Sequence, residues 1–472
     1  MRGTSYVIKK CVGISSIVIS LILTGCVQDH SDEMSSNELY VATNGNNDNP
    51  GTINEPLLTL EEATDRAVKG TNVFIREGTY DEPLIVQHSG SYSEPIVFQS
   101  YQDEQVRISG RTFQDHEEDM ELVQIVDRSY ITIKGLEVCD LSTDRDEKTI
   151  MGILVTGDSQ HIQLLNNHIH HIETYADEGN AHGIAVYGDQ PISNILIKEN
   201  IVEDLKLGWS EALVLNGDVS DFLITENIVQ QNNNIGIDLI GFEGTAFDSS
   251  SDFARDGTIS HNRVHHNSSY GNPSYGNNYS AAGIYVDGGS DLLIQENKVY
   301  QNDIGIEATS EHKGKDASGI QMIRNTVYEN HYTGISIGGY DEQRGGTIDS
   351  VIAENILYKN DTKEMDGAQV LFQYKAVNNL IKNNIMTTSD SGLFVSIENE
   401  ESLDNTFTEN VYHKERNKQP IWIVQGEPIT SLEAFQEVIG SDERSIYDDP
   451  DFVDAAHYHF ELNDGSPAKS LW

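Results

Sequence analysis

Cysteine is almost absent from this chain of 472 residues, which holds only Cys11, Cys26 and Cys139. Basic residues are scarce too: 30 Lys and Arg stand against 76 Asp and Glu, a formal charge of 30 − 76 = −46. That deficit excludes a nucleic-acid binder working by phosphate neutralisation, which needs basic surface. Proline is low at 10 residues, and charged and apolar residues make up 22% and 37%, a polar mixture that still forms a core, unlike a disordered chain. The one sustained apolar run, residues 11–23, falls short of the roughly 20 residues of a membrane-spanning helix. By length alone several ordinary domains are expected, though one elongated repeat fold can use the whole chain. The acidity suits a protein secreted into a saline medium or one that binds calcium, and it names no reaction.

At the front, Lys9 and Lys10 precede that apolar run, and small residues follow it, the layout of an export signal. Leu23-Thr24-Gly25-Cys26 resembles the bacterial lipoprotein signal, which implies cleavage before Cys26 and a lipid on its sulfur. An ordinary signal peptide with a chance cysteine is the alternative. Residues 1–25 are thus expected to be the signal, 26–38 a polar tether, and 39–472 the folded domain, lipid-anchored at the bacterial cell envelope or surface. Beyond Cys26 only Cys139 remains, so no intramolecular disulfide can form and the core must supply the stability.

Self-similarity decides the fold class. One recurrent unit sets an Asn before an apolar pair, as at Asn167, Asn200, Asn227, Asn262, Asn297, Asn325, Asn355 and Asn384, spaced about 26 to 35 residues apart. Between these lies a Gly followed by a short alternating strand, as in Gly152-Ile153-Leu154-Val155, Gly183-Ile184-Ala185-Val186, Gly236-Ile237-Asp238-Leu239, Gly283-Ile284-Tyr285-Val286, Gly305-Ile306-Glu307-Ala308 and Gly334-Ile335-Ser336-Ile337. About three short strands per turn, with period-two alternation, predict an all-β parallel β-helix. The repeated Asn residues are expected to form an internal ladder. Thr59-Leu60-Glu61-Glu62 reads as a capping box opening a short helix through Val68 that plugs the N-terminal end.

The stretch from Tyr40-Val41-Ala42-Thr43-Asn44-Gly45 through Pro56-Leu57-Leu58-Thr59-Leu60 to Ile75-Arg76-Glu77-Gly78-Thr79-Tyr80 resembles the opening of right-handed parallel β-helix proteins of the pectate-lyase-like superfamily. Asp449-Pro450-Asp451-Phe452-Val453-Asp454 and Gly465-Ser466-Pro467-Ala468 resemble their closing segment. The resemblance implies the fold and work on carbohydrate. It chooses no reaction.

Aligning strands on their Gly-Ile start places Leu154, Ala185, Val214, Asp238, Tyr285, Glu307 and Ser336 in one outward column. A second column, two residues on, holds Thr156, Tyr187, Asn216, Ile240, Asp287, Thr309 and Gly338. Carboxylates therefore gather at Asp238, Asp287 and Glu307. The long interruptions 242–256 and 267–281 sit on the same rungs, the second carrying Tyr270, Tyr275 and Tyr279. Glu311, His312, Tyr340, Asp341 and Arg344 flank the next rungs as candidate substrate contacts, with Tyr285, Tyr187, Asn216 and Trp209; for Tyr187 and Trp209, simple rim packing is the equal alternative.

Gly283-Ile284-Tyr285-Val286-Asp287 with Ile306-Glu307 one rung later is similar to β-helical glycosidases of the β-xylosidase kind. That likeness implies a retaining hydrolase with Asp287 as nucleophile, Glu307 as acid/base and Asp238 binding a hydroxyl or raising the acid's pKa, with no cofactor required. The competing enzyme is a calcium-dependent polysaccharide lyase in which Asp238, Asp287 and Glu307 bind Ca²⁺ and Lys313, Lys315, Arg255 or Arg344 is the base. A non-catalytic glycan-binding surface protein is the third reading. Every reading has a carbohydrate partner, and no obligate protein partner is inferred. His168, His170 and His171, like His265 and His266, are expected to split across strand faces rather than bind zinc.

Overall fold

A computed structural model describes residues 37–113, 118–415 and 419–471. The signal, Cys26 and most of the expected tether lie outside the described residues. The first strand, Asn37–Val41, opens with the last two residues assigned to that tether.

The chain coils into a right-handed parallel β-helix. Each full turn lays down two strands of one large wrapped sheet and one strand of a separate 13-stranded sheet that runs from Gly78–Tyr80 to Ile446–Tyr447. In Asn180–Lys198 and Leu213–Thr225 the two strands of the large sheet merge into one that bends round the corner. Ile and Val residues fill the interior as one continuous core. The Gly that opens each strand has a definite cause: a Cβ on Gly305 would meet the Gly334 carbonyl oxygen at 2.3 Å, and one on Gly236 the Gly283 oxygen at 2.6 Å.

The Asn ladder is present. Asn297 Nδ2 donates to Asn325 Oδ1 at 3.0 Å and to the Ile259 carbonyl at 2.9 Å, while its own Oδ1 accepts the Asn262 backbone N–H at 2.9 Å. A second ladder, not foreseen, runs through Asn232, Asn267, Asn302, Asn330 and Asn360 to Gln369. The residue before each ladder Asn is left-handed, as at Glu226, Glu296, Gln231 and Gln301. That conformation explains polar, unbranched residues there.

The N-terminal helix is Leu60–Arg66, two residues shorter than expected, and only half the capping box forms. Thr59 accepts the Glu62 N–H at 3.2 Å, but the Thr59 N–H goes to Asn47 Oδ1 at 3.1 Å and the Glu62 carboxylate turns to Arg66. A helix at the other end, Leu432–Ile439, was not foreseen; its Phe435 stacks on the buried Trp422 at 5.7 Å. The closing hairpin of Phe452–Asp454 and His459–Leu462 runs back along the 13-stranded sheet, where Tyr458 stacks on Tyr328.

The histidine alternation fails. His171 and His266 adopt positive φ, and their Nδ1 atoms lie 2.6 Å and 2.8 Å from those of His170 and His265. A left-handed residue breaks the period of two, so neighbours face the same side. Glu137, Cys139 and His170 place ligand atoms within 4.8 Å of one another. Glu137 there is already bound by Arg107 and His170.

Candidate active site

The first outward column is in the expected register: Leu154, Ala185, Val214, Asp238, Tyr285, Glu307 and Ser336 pair rung by rung. The second breaks, because Ile240 bridges to Gly288 in antiparallel sense. Outward here does not mean exposed. Asp238, Asp287, Tyr285 and Glu307 are only 2%, 3%, 6% and 7% exposed.

Two loops make the roof. Segment 267–281 folds back over earlier rungs, where Asn272 Nδ2 donates to the Gly208 and Asn233 carbonyls and Ser274 Oγ to that of Asp177. Tyr275 of this loop meets Trp209, which is 43% exposed, with ring centroids 5.2 Å apart. Tyr270 and Tyr279 instead stack on each other at 4.8 Å. Segment 242–256 is pinned by the Phe247 N–H on the Asp189 carbonyl and by an Arg255–Asp218 ion pair at 2.7 Å.

Under this roof Asp287 Oδ1 accepts the Glu311 N–H at 2.6 Å. Glu311 accepts from the Tyr285 hydroxyl at 3.4 Å and the Tyr340 hydroxyl at 3.3 Å. Arg344 donates to the Glu311 carbonyl at 3.0 Å, pairs with Asp341 at 3.6 Å and lies over the Tyr340 ring. Asn216 donates to Glu243 at 2.7 Å. His182 Nε2 meets the Tyr187 hydroxyl at 2.9 Å.

Glu211, Glu243 and His182 are members that the sequence reasoning missed. His182 and Glu211 each precede the strand's Gly or its substitute, Ala212, so an alignment beginning at Gly passes over them. Glu243 sits in a loop, where no period applies.

Burial is the chief force on these acids. It raises Glu307 to about 7, with the Ser336 hydroxyl beside it opposing and the Glu311 charge adding to the rise. Burial, then the charges of Glu211, Asp287, Glu243 and Glu311, holds Asp238 well above the carboxylate range. Asp287 is also raised, by burial and Glu311, against the pull of the Glu311 amide and Arg344. The Asp287 charge thus bears on Asp238, while the shift of Glu307 comes from burial, Ser336 and Glu311.

The expected calcium set of Asp238, Asp287 and Glu307 is not the one brought together. Ligand atoms of Glu243, Asp287 and His312 lie within 4.8 Å of one another, and His312 Nε2 and Asp238 Oδ1 are buried without partners. An imidazole beside two carboxylates fits a transition metal better than calcium, which takes oxygen ligands. Each candidate lyase base is engaged: Arg255 by Asp218, Arg344 by Glu311, Lys313 by Gln343, and Lys315 over the Phe242 ring.

The Bacillus subtilis (strain 168) protein YwoF is 50% identical over 457 residues, covering 96% of this chain and 97% of its own. The chain belongs to the YwoF family. Two family models match it, "Pel9A-like, right handed beta helix region" over residues 39–200 and "Right handed beta helix region" over residues 258–433. Among solved structures, the GH136 lacto-N-biosidase from Eubacterium ramulus is 13% identical with a TM-score of 0.50, over 88% of this chain and 67% of that one. Pectate lyase Pel9A is 14% identical with a TM-score of 0.47, over 91% and 90%. The lacto-N-biosidase likeness shows the fold of this YwoF-family chain, and no more.

Proposed function

We propose that this YwoF-family protein is an exported carbohydrate-active enzyme that cleaves glycosidic bonds by retaining hydrolysis, with Asp287 as nucleophile and Glu307 as acid/base. One observation carries the reading: the two acids sit on adjacent paired strands, Tyr285 opposite Glu307 and Asp287 two residues on, under a roof of loops. That offset corresponds to a Cα separation of about 8 Å, from which side chains can converge to the roughly 5–5.5 Å of a retaining pair. Asp287 would attack the anomeric carbon while Glu307 protonates the departing glycosidic oxygen; Glu307 would then deprotonate the water that displaces Asp287. A carboxyl near 7 suits that exchange at neutral pH. Burial and the Glu311 charge raise Asp287, and the Glu311 amide and Arg344 work against that rise, in favour of the charged nucleophile. Asp238, raised by burial and the surrounding carboxylates, would hold a sugar hydroxyl. The lipoprotein-like tetrad ending at Cys26 supports anchoring at the cell envelope.

The Glu243, Asp287 and His312 group favours a second reading, a metal-dependent lyase. A cation held there would neutralise a uronate carboxylate. The test is incubation with neutral and uronic-acid glycans, following reducing ends and absorbance near 235 nm. Reducing ends without absorbance, lost in Asp287→Asn, are expected; unsaturated product would sink hydrolysis. Glycan retention without any product would mark a binder.

A further inference from the structure

We propose that Tyr187 is a fixed hydrogen-bond acceptor that selects a neutral sugar through one of its hydroxyl donors, so that the cleft takes an uncharged glycan and not a uronate. This deepens the hydrolase reading and rests on the cleft being a glycan site.

The direction of one hydrogen-bond chain carries the proposal. His182 is 1% exposed, and its Nδ1 lies 3.0 Å from the Glu211 backbone oxygen. A carbonyl oxygen only accepts, so Nδ1 carries the proton. Burial lowers the ring's pKa to about 4, leaving it neutral near pH 7 with Nε2 unprotonated. Tyr187 Oη, 2.9 Å from Nε2, must therefore donate its single proton inward. What the phenol offers outward is lone pairs, which accept from a sugar hydroxyl and give nothing to a carboxylate.

The surroundings act in the same direction. Asn216, the register partner of Tyr187, donates its amide to Glu243, and the Glu211, Glu243 and Asp238 charges all bear on the phenol. The guanidinium among these acids, Arg344, donates Nη1 to the Glu311 carbonyl and pairs with Glu311 and Asp341 at 3.6 Å, while its Nε makes no hydrogen bond. A uronate entering here would meet the outward lone pairs of Tyr187 beside the Glu243 carboxylate that already takes the Asn216 amide, an arrangement that disfavours a second carboxylate.

The experiment uses the folded Asp287→Asn protein in EDTA, titrated calorimetrically with neutral oligosaccharides of the xylan, mannan, glucan and galactan classes, and with oligouronates and their carboxyl-reduced forms. A neutral member is expected to bind at least about tenfold more tightly than any uronate, and Tyr187→Phe to weaken it about 3- to 10-fold. His182→Ala frees the Tyr187 proton and should narrow the neutral-over-uronate ratio, which a merely structural role would not do; the unfolding midpoint checks the fold. Equal or tighter uronate binding, no binding by any neutral glycan, or a Tyr187→Phe variant unchanged towards all of them overturns the proposal. Failure of the hydrolase reading looks different: the binding preference survives while the wild type releases no reducing ends or Asp287→Asn remains active.

Discussion

Asp287 Oδ1 and the backbone N–H of Glu311 are 2.6 Å apart, a bond that reaches from the end of Ala282–Asp287 to the loop beyond Ile304–Thr309. The proposed nucleophile is thereby oriented by the segment that carries Glu311 and His312 over the cleft.

Asp287→Asn keeps an oxygen for the Glu311 amide, so the fold should hold while turnover falls by at least about 10³-fold. Asp287→Ala strands that amide and should in addition cost about 1–3 kcal/mol of stability. Reducing-end release and urea unfolding separate the two effects.

Glu307 must give a proton to the leaving group, so activity should decline as pH rises through about 7. Glu307→Gln should lower turnover of substrates with poor leaving groups by about 10²–10⁴-fold and remove that basic limb. A kcat/KM profile against pH reads both; an unchanged limb would assign it to another group.

Burial raises Glu211, with Glu243 and Asp287 adding to the rise. A carboxyl raised by folding contributes its stability below its unfolded value, about 4.3, and loses it as pH climbs through the folded one. Glu211→Gln, with no charge to bury, should melt higher than the wild type near about pH 9 and no higher near about pH 4. Thermal melts at the two pH values check the crossover.

Asn297 makes ladder bonds in both directions, to Asn325 and Ile259 and from Asn262. Asn297→Leu removes them and leaves buried partners unpaired, an expected cost of about 3 kcal/mol or more. Lys69→Ala, at an exposed turn, is the comparison and should change little. Denaturant midpoints decide.

Cys26→Ser should release the protein from the membrane fraction and abolish incorporation of labelled fatty acid. A protein that stays soluble in both forms carries an ordinary signal instead.

Much of the scaffold was legible because its signals are local and recur every turn. The Gly before each Ile reports a rung-to-rung approach that admits no Cβ, and the ladder Asn follows a turn residue forced left-handed. The pairing of Asp238, Tyr285 and Glu307 followed from that frame. His171 and His266 were misread because alternation assumes extended backbone, and both leave it. His182, Glu211 and Glu243 were passed over because they lie outside the frame that begins at Gly.

The sequence by itself determined the coil, its register and the carboxylates that face outward, since each depends on near neighbours and on repetition. Only the tertiary structure decided that these acids are buried. The loops 242–256 and 267–281 fold back over rungs from which they are distant in sequence, pinned by contacts such as Asn272 to Gly208 and Phe247 to Asp189. No period encodes such contacts. Burial raises Asp238, Asp287 and Glu307 above the usual carboxylate range and keeps the His182 ring neutral beside them.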